Sequence, residues 1–148
     1  MIYLDSSALV KLARAEPESA ALARWLAERA DQPLVSSALS QAEVPRAVWR
    51  AEPGALPRSY RLIRRIARVA LTSDVLDNSA TLPPQALSPA HAIHLASALA
   101  VRGELTAFVA YDQALLAAAA DAGLPVASPG LLPGDPVVDA VPSPAGGG

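Results

Sequence analysis

The chain of 148 residues has no cysteine, which excludes disulfides, thiolate metal sites and thiol catalysis and suits a reducing cytosol. It also lacks a long apolar run. The longest stretch free of Asp, Glu, Lys and Arg, residues 78–101, carries three prolines and two histidines and does not read as a membrane span. No basic-then-apolar leader opens it, and an acid already stands at Asp5, so a secretory signal is not expected. There is a single lysine, Lys11, near the start. A phospho-acceptor receiver domain needs an acid pair near the N-terminus and a lysine late in the chain, so that class is excluded. The expectation is a soluble cytoplasmic domain with no membrane contact.

What is present is alanine and arginine. Hydrophobic residues make up 52%, but 33 of the 148 positions are alanine, which favours helices over a greasy surface. The length is that of one domain with one core. Net charge is only −2, yet its distribution is uneven: residues 46–68 hold seven arginines against one acid, Glu52, so that segment is +6 and the rest −8. Two readings stand for this cluster, a solvated helix face or a phosphate-binding surface. The first is the commoner; the planar guanidinium fork, which matches phosphate oxygens, adds some weight to the second.

Along the chain, Ile2-Tyr3-Leu4 is a short strand ending at Asp5, and Ser6 or Ser7 then caps a helix. A second helix is expected from Pro17 to about Asp31, and a second strand begins at Leu34-Val35. Ser40-Gln-Ala-Glu43 has capping-box spacing and opens a third helix, with Pro45 kinking its start. An arginine-rich helix is expected over residues 57–70 and a short one over 73–82. Ser88-Pro89 reads as an N-cap followed by proline at the first helical position of a helix ending near Gly103. A strand over residues 106–111, a helix over 112–122 and a short strand at 125–127 complete the pattern. Strands alternating with helices make this an α/β protein with a central parallel sheet of four to five short strands in a three-layer α/β/α arrangement. From Pro129 onward ten of twenty residues are Pro or Gly, so the domain is expected over 1–130 and a disordered tail over 131–148.

Two acids follow an apolar strand and precede a helix: Asp5, and Asp112 after Phe108-Val-Ala-Tyr111. The carboxyl ends of parallel strands are where ligands bind, and two acids there can share a hard cation such as Mg²⁺ or Mn²⁺. Each is equally readable as a helix N-cap. Glu43 is a third candidate, with a competing local role as the acid of its capping box. His94, three residues after His91, reads either as half of a histidine metal pair or as a hydrogen-bonded structural residue.

The run Met1-Ile-Tyr-Leu-Asp5-Ser-Ser-Ala-Leu-Val-Lys-Leu resembles the opening of VapC-type PIN domains, the toxin half of bacterial VapBC toxin–antitoxin pairs. Ser40-Gln-Ala-Glu43 followed by Arg46-Ala is similar to their second acidic motif. Ala92-Ile-His-Leu-Ala-Ser-Ala-Leu resembles the third, and Phe108-Val-Ala-Tyr-Asp112-Gln-Ala-Leu the fourth. The resemblance covers residues 1 to about 130 in order, and it implies a metal-dependent endoribonuclease with Asp5, Glu43 and Asp112 as catalytic, metal-site acids. It implies Mg²⁺, with Mn²⁺ as an alternative, an RNA substrate cut to leave a 5′-phosphate, a cognate antitoxin and a homodimer. Ser6 and Ser7 are then candidates to orient waters or phosphate oxygens. Arg46 and Arg50 become candidate RNA contacts, and the arginine-rich helices with Trp49 are candidates for the homodimer or the antitoxin surface. At the position of His94 the family carries His beside an acid, which tips that residue to the hydrogen-bonded structural reading.

One position departs from the family's pattern. Where the third motif normally has Asp, this chain has His91, a possible nitrogen ligand that adds no negative charge and prefers Mn²⁺, Zn²⁺ or other transition ions. An alternative function follows, a catalytically weakened PIN domain that only binds RNA or its antitoxin. A phosphatase using Asp5 as nucleophile, as in haloacid-dehalogenase-type enzymes, would need an acid two residues on, where Ser7 stands.

Overall fold

The computed structural model describes residues 1–131. Five strands form one all-parallel sheet: β1 (Ile2–Leu4), β2 (Leu34–Ser37), β3 (Ala67–Val69), β4 (Ala107–Val109) and β5 (Val126–Ala127), in the order β3-β2-β1-β4-β5. Among the described residues seven α-helices accompany them: α1 (Ser6–Ala13), α2 (Ser19–Ala27), α3 (Ser40–Ala51), α4 (Leu56–Ile63), α5 (Ser73–Ser79), α6 (Pro89–Ala100) and α7 (Gln113–Asp121).

Strand alternation builds two cores. Ile2 and Leu4 of β1 and Val109 of β4 face one way, onto Leu9, Leu22, Val44, Val48 and Ile63 of α1 to α4. Tyr3, Val35 and Phe108 face the other way, onto Leu95 of α6 and Leu115 and Leu116 of α7. A strand buried on both faces must be apolar at every position, which is why Ile2-Tyr3-Leu4 shows no polar alternation. Tyr3 and Phe108 stack across β1 and β4 with centroids 5.2 Å apart and rings 10° from parallel.

The strand order carries the functional consequence. From β1 the chain builds outward to β2 and β3, then returns past β1 to place β4 and β5 on its other side. The direction of winding reverses between β1 and β4, and at such a switch point the loops leaving the two carboxyl ends part to opposite faces and open a crevice. Asp5 and Asp112 stand at the ends of these two strands.

Several expectations need correction. The helix expected over residues 57–70 is α4 followed by a strand, because the apolar positions Leu62, Ile63 and Ile66 continue a helical-looking spacing while β3 is a three-residue edge strand. Ala67 and Arg68 are exposed there, so no buried alternation announces it. The second helix is shorter than expected, ending at Ala27. The cap of α1 is Asp5, not Ser6 or Ser7. The Ser40–Glu43 capping box does not form: Leu39 occupies the N-cap without a side-chain bond, and Ser40 Oγ is buried without a partner. Pro45 does sit inside α3, buried, where its missing N–H removes one intrahelical bond. Ser88 and Pro89 open α6 as expected, Ser88 Oγ accepting from the His91 N–H at 3.2 Å. The tail expected over 131–148 lies, beyond Leu131, outside the described residues.

Phe108 is fully buried against Tyr3 at the centre of the sheet. Phe108→Ala should lose about 3–5 kcal/mol of unfolding free energy in a urea titration, a large part of the roughly 5–15 kcal/mol that a domain has. A loss below about 1 kcal/mol would mean that this aromatic pair is not a core element.

Candidate metal centre at the sheet switch point

Four helix N-termini bring the candidate side chains to one place. Asp5 is the N-cap of α1, Glu43 lies in the first turn of α3, His91 in the first turn of α6, and Asp112 is the N-cap of α7. The unpaired N–H groups of a helix start favour negative charge, so each carboxylate gains from its own helix. For the two aspartates, capping and a site role use different atoms. Asp5 Oδ1 accepts from the Ala8 N–H at 3.1 Å and from Ser7 Oγ at 2.6 Å. Asp112 Oδ1 accepts from the Leu115 N–H at 2.9 Å. No hydrogen bond falls on either Oδ2 among the described residues.

Asp5 is tied directly to the neighbouring strand: its N–H donates to the Val109 carbonyl at 3.0 Å, and Ser7 Oγ accepts from the Tyr111 N–H at 3.1 Å. The crevice is thus pinned from both sides, while Asp5 itself is only 2% exposed. Desolvation holds its carboxyl above the usual carboxylate range, against the pull of His94, Ser7, the Ala8 N–H and His91.

Glu43 is oriented from the interior. Its Oε1 accepts from Ser6 Oγ at 2.6 Å and lies 2.7 Å from His94 Nε2. These charge-assisted bonds outcompete the local cap with Ser40, the physical reason the capping box fails. Burial raises the Glu43 carboxyl, but His94 and Ser6 more than offset it, and the net direction is down. An ionised carboxylate only accepts, so Nε2 carries a proton toward Glu43, while Nδ1 pairs with the Tyr3 hydroxyl at 2.8 Å, whose oxygen accepts from the Ser37 N–H at 3.1 Å. His94 is a hydrogen-bonded structural histidine with both ring nitrogens engaged, as the family resemblance favoured.

Tyr3 is the site element that sequence reasoning missed, since it read as one apolar position of a strand. The usable signal was chemical: a buried tyrosine hydroxyl needs a partner, and few polar side chains were available.

His91 is the hub of the remaining contacts. Its Nδ1 lies 3.7 Å from Asp112 Oδ1, the two side chains being 31% and 42% exposed. Its charge also acts on both Asp5 and Glu43, lowering each. All four candidate ligands therefore face one region, although as placed no three His, Asp or Glu side chains among the described residues close into a metal cage. The donor chemistry still fits a divalent ion. Three carboxylates each keep one oxygen free of hydrogen bonds, Asp5 is buried without a lysine or arginine partner, and an imidazole adds a nitrogen. Ser6 and Ser7 spend their protons on Glu43 and Asp5, so they stand behind the carboxylates. Arg46 and Arg50 are exposed on α3 and take part in no ion pair among the described residues.

A raised folded-state pKa favours folding below the unfolded value, and that contribution is lost as pH rises through the folded one. At neutral pH an ionised Asp5 therefore opposes folding. Asp5→Asn keeps an oxygen for the Ala8 N–H and should melt above the parent at neutral pH without divalent ions. The difference should shrink in acid, and saturating Mn²⁺ should raise the melting point of the parent only. Identical melting of the two at neutral pH would show that the buried charge carries no penalty.

The family model for the PIN domain matches residues 2–124. Ribonuclease VapC47 of Mycobacterium tuberculosis (strain CDC 1551 / Oshkosh) is 40% identical over 135 residues, covering 89% of this chain and 99% of that protein. Ribonuclease VapC35 of strain ATCC 25618 / H37Rv is 41% identical over 132 residues, 88% of this chain and 98% of the relative. The crystal structure of Mycobacterium tuberculosis VapC20, a sarcin–ricin loop cleaving toxin, superposes with a TM-score of 0.64, covering 80% of this chain and 95% of that one. At 17% identity it speaks for the fold. The chain belongs to the PIN-domain family, among the VapC ribonucleases.

Proposed function

We propose that the protein is a divalent-metal-dependent endoribonuclease, the toxin of a toxin–antitoxin pair. The observation that carries this, in a chain of this family, is the placement of Asp5 and Asp112 after the carboxyl ends of β1 and β4, the two strands that flank the switch point. His91 lies 3.7 Å from Asp112, and its charge acts on Asp5 and Glu43. Residues 1–130 form the domain. Asp5, Glu43 and Asp112 would hold the ion, with His91 as nitrogen ligand. Mg²⁺ is the expected ion and Mn²⁺ the alternative that the imidazole favours. A bound divalent ion supplies a water of lowered pKa and a counter-charge for the scissile phosphate.

The protein's own residues set the stage for in-line hydrolysis of an RNA phosphodiester. His94 and Ser6 hold Glu43 by Oε1, and Ser7 and the Ala8 N–H hold Asp5 by Oδ1, which leaves Oε2 and Oδ2 as the oxygens that would serve the ion. The starts of α1, α3, α6 and α7 favour the negative charge of the phosphate. Arg46 and Arg50 on α3 grip the RNA backbone. The partners are RNA, a cognate antitoxin that covers the crevice, and a second copy of the chain. No helix among the described residues is long and apolar enough to cross a membrane, which accords with a cytoplasmic site of action.

The test is RNA cleavage by the parent, Asp5→Ala, Asp112→Ala and His91→Asp, each with Mg²⁺ and with Mn²⁺. The parent should cut with Mg²⁺, and a faster rate with Mn²⁺ would mark His91 as a working ligand. Each alanine variant should lose more than about a hundredfold, beyond what loss of a supporting contact to a ligand costs. Parental rates in both alanine variants would sink the site assignment. His91→Asp should shift the preference toward Mg²⁺. A silent parent beside an active His91→Asp would mean a binding-only domain.

A further inference from the structure

Outside the carboxylate crevice, the least satisfied surface is the α3–α4 hairpin. Trp49 is 53% exposed and Tyr60 49%, in a chain with only six aromatic residues. Both line a groove of ≈ 390 Å³ between the helices, with Pro45, Arg46 and Leu56. Pro45 and Trp49 are one turn apart on α3, and so are Leu56 and Tyr60 on α4, so each helix presents a continuous apolar strip. Arg46 lines the groove, and all seven arginines of residues 46–68 are exposed, none in an ion pair among the described residues. The one acid of the segment, Glu52, faces Arg14 at 3.5 Å instead.

We propose that this groove is a stacking platform for a base of single-stranded RNA, with Trp49 and Tyr60 as the rings and the surrounding arginines on the phosphates. The identity of the strand rests on the ribonuclease reading above. Aromatic rings set in an electropositive groove are how single strands are held without sequence readout, since every base has a π-face. The groove lies near the lower end of the roughly 300–1,000 Å³ of ligand pockets, a fit for a flat base. A partner helix about 10–12 Å across needs a longer trough. Glu43 and Trp49 lie on one helix, six residues and about 9 Å of axial rise apart and about 120° round it. A strand whose phosphate sits at the crevice and which passes round α3 could lay a nearby base on the platform. In a duplex that base is stacked on its neighbours, so the platform selects single strands.

Binding, not cleavage, is the readout. In an Asp5→Asn background that spares the probe, the affinity of fluorescein-labelled twelve-nucleotide oligouridylate and oligoadenylate is followed by anisotropy, with a duplex RNA of the same length alongside. Trp49→Ala and Tyr60→Ala should each weaken single-strand binding about tenfold. Trp49→Phe should retain most of it, and duplex affinity should not move. Arg46→Gln should lower the salt dependence, while Trp49→Ala leaves that slope unchanged. Unchanged single-strand affinity in Trp49→Ala, or an equal loss on the duplex, overturns the platform and leaves the groove to a protein partner. A chain that binds through Trp49 but cuts no RNA would fail as a nuclease and keep the platform. One that cuts RNA with no dependence on Trp49 would do the reverse.

Discussion

Everything at the working end of this molecule follows from placing a carboxylate at the end of its central strand. Asp5 is buried between β1, β4 and the start of α1, where water cannot offset its charge. The fold supplies three partial substitutes: the N–H groups of α1, the hydroxyl of Ser7, and the nearby imidazoles of His94 and His91. They do not cancel the desolvation, and the carboxyl stays raised. A carboxylate left in that condition costs stability at neutral pH, and a divalent cation bound there, as proposed above, would relieve it. Under that proposal the stability of the metal-free protein and its cation affinity are opposed at this residue.

The second constraint runs from the core outward. Ser37, Tyr3, His94 and Glu43 form a hydrogen-bonded line from the backbone of β2 to the rim of the crevice. Each link positions the next: the Ser37 N–H donates to the Tyr3 oxygen, the Tyr3 hydroxyl pairs with Nδ1, and Nε2 donates to Glu43. The result fixes which oxygen of Glu43 is occupied and which is free. Tyr3 also stacks on Phe108, so the packing that holds the sheet together and the orientation of a site carboxylate share one side chain. Polar lines of this kind rigidify only when every member is satisfied.

The acids after β1 and β4 were legible in the sequence because the rule behind them is topological: apolar strand, acid, helix, repeated in a parallel sheet. The α/β class and four of the five strands were readable for the same reason. The hidden strand, β3, is exposed at Ala67 and Arg68 and sits at an edge, so its existence depends on pairing with β2 and not on its own side chains. Ser40–Glu43 misled in the opposite sense. The local spacing fits a capping box, but a long-range partner, His94, 51 residues away, offers Glu43 a stronger bond than its own helix does. Local patterns fail where a charged group has a better partner across the fold. The Tyr3–His94 contact, spanning 91 residues, was illegible for the same reason.

An acidic crevice and a polyanionic substrate repel, and the distribution of arginine answers that problem only if the distances are short. At physiological ionic strength charges on the surface act over about 8 Å. Arg46 and Arg50 follow Glu43 at three and seven residues on the same helix, which puts them on its stripe at about 4.5 and 10 Å of axial rise. Arg46 falls within that range of the carboxylates and Arg50 at its edge, whereas Arg64, Arg65 and Arg68 lie beyond the far end of the hairpin. An inhibitory protein covering the same stripe would have to neutralise these two arginines, because leaving them buried and unpaired would cost more than the contact returns. If RNA is gripped there as proposed, it and such a partner would compete for the same two guanidinium groups.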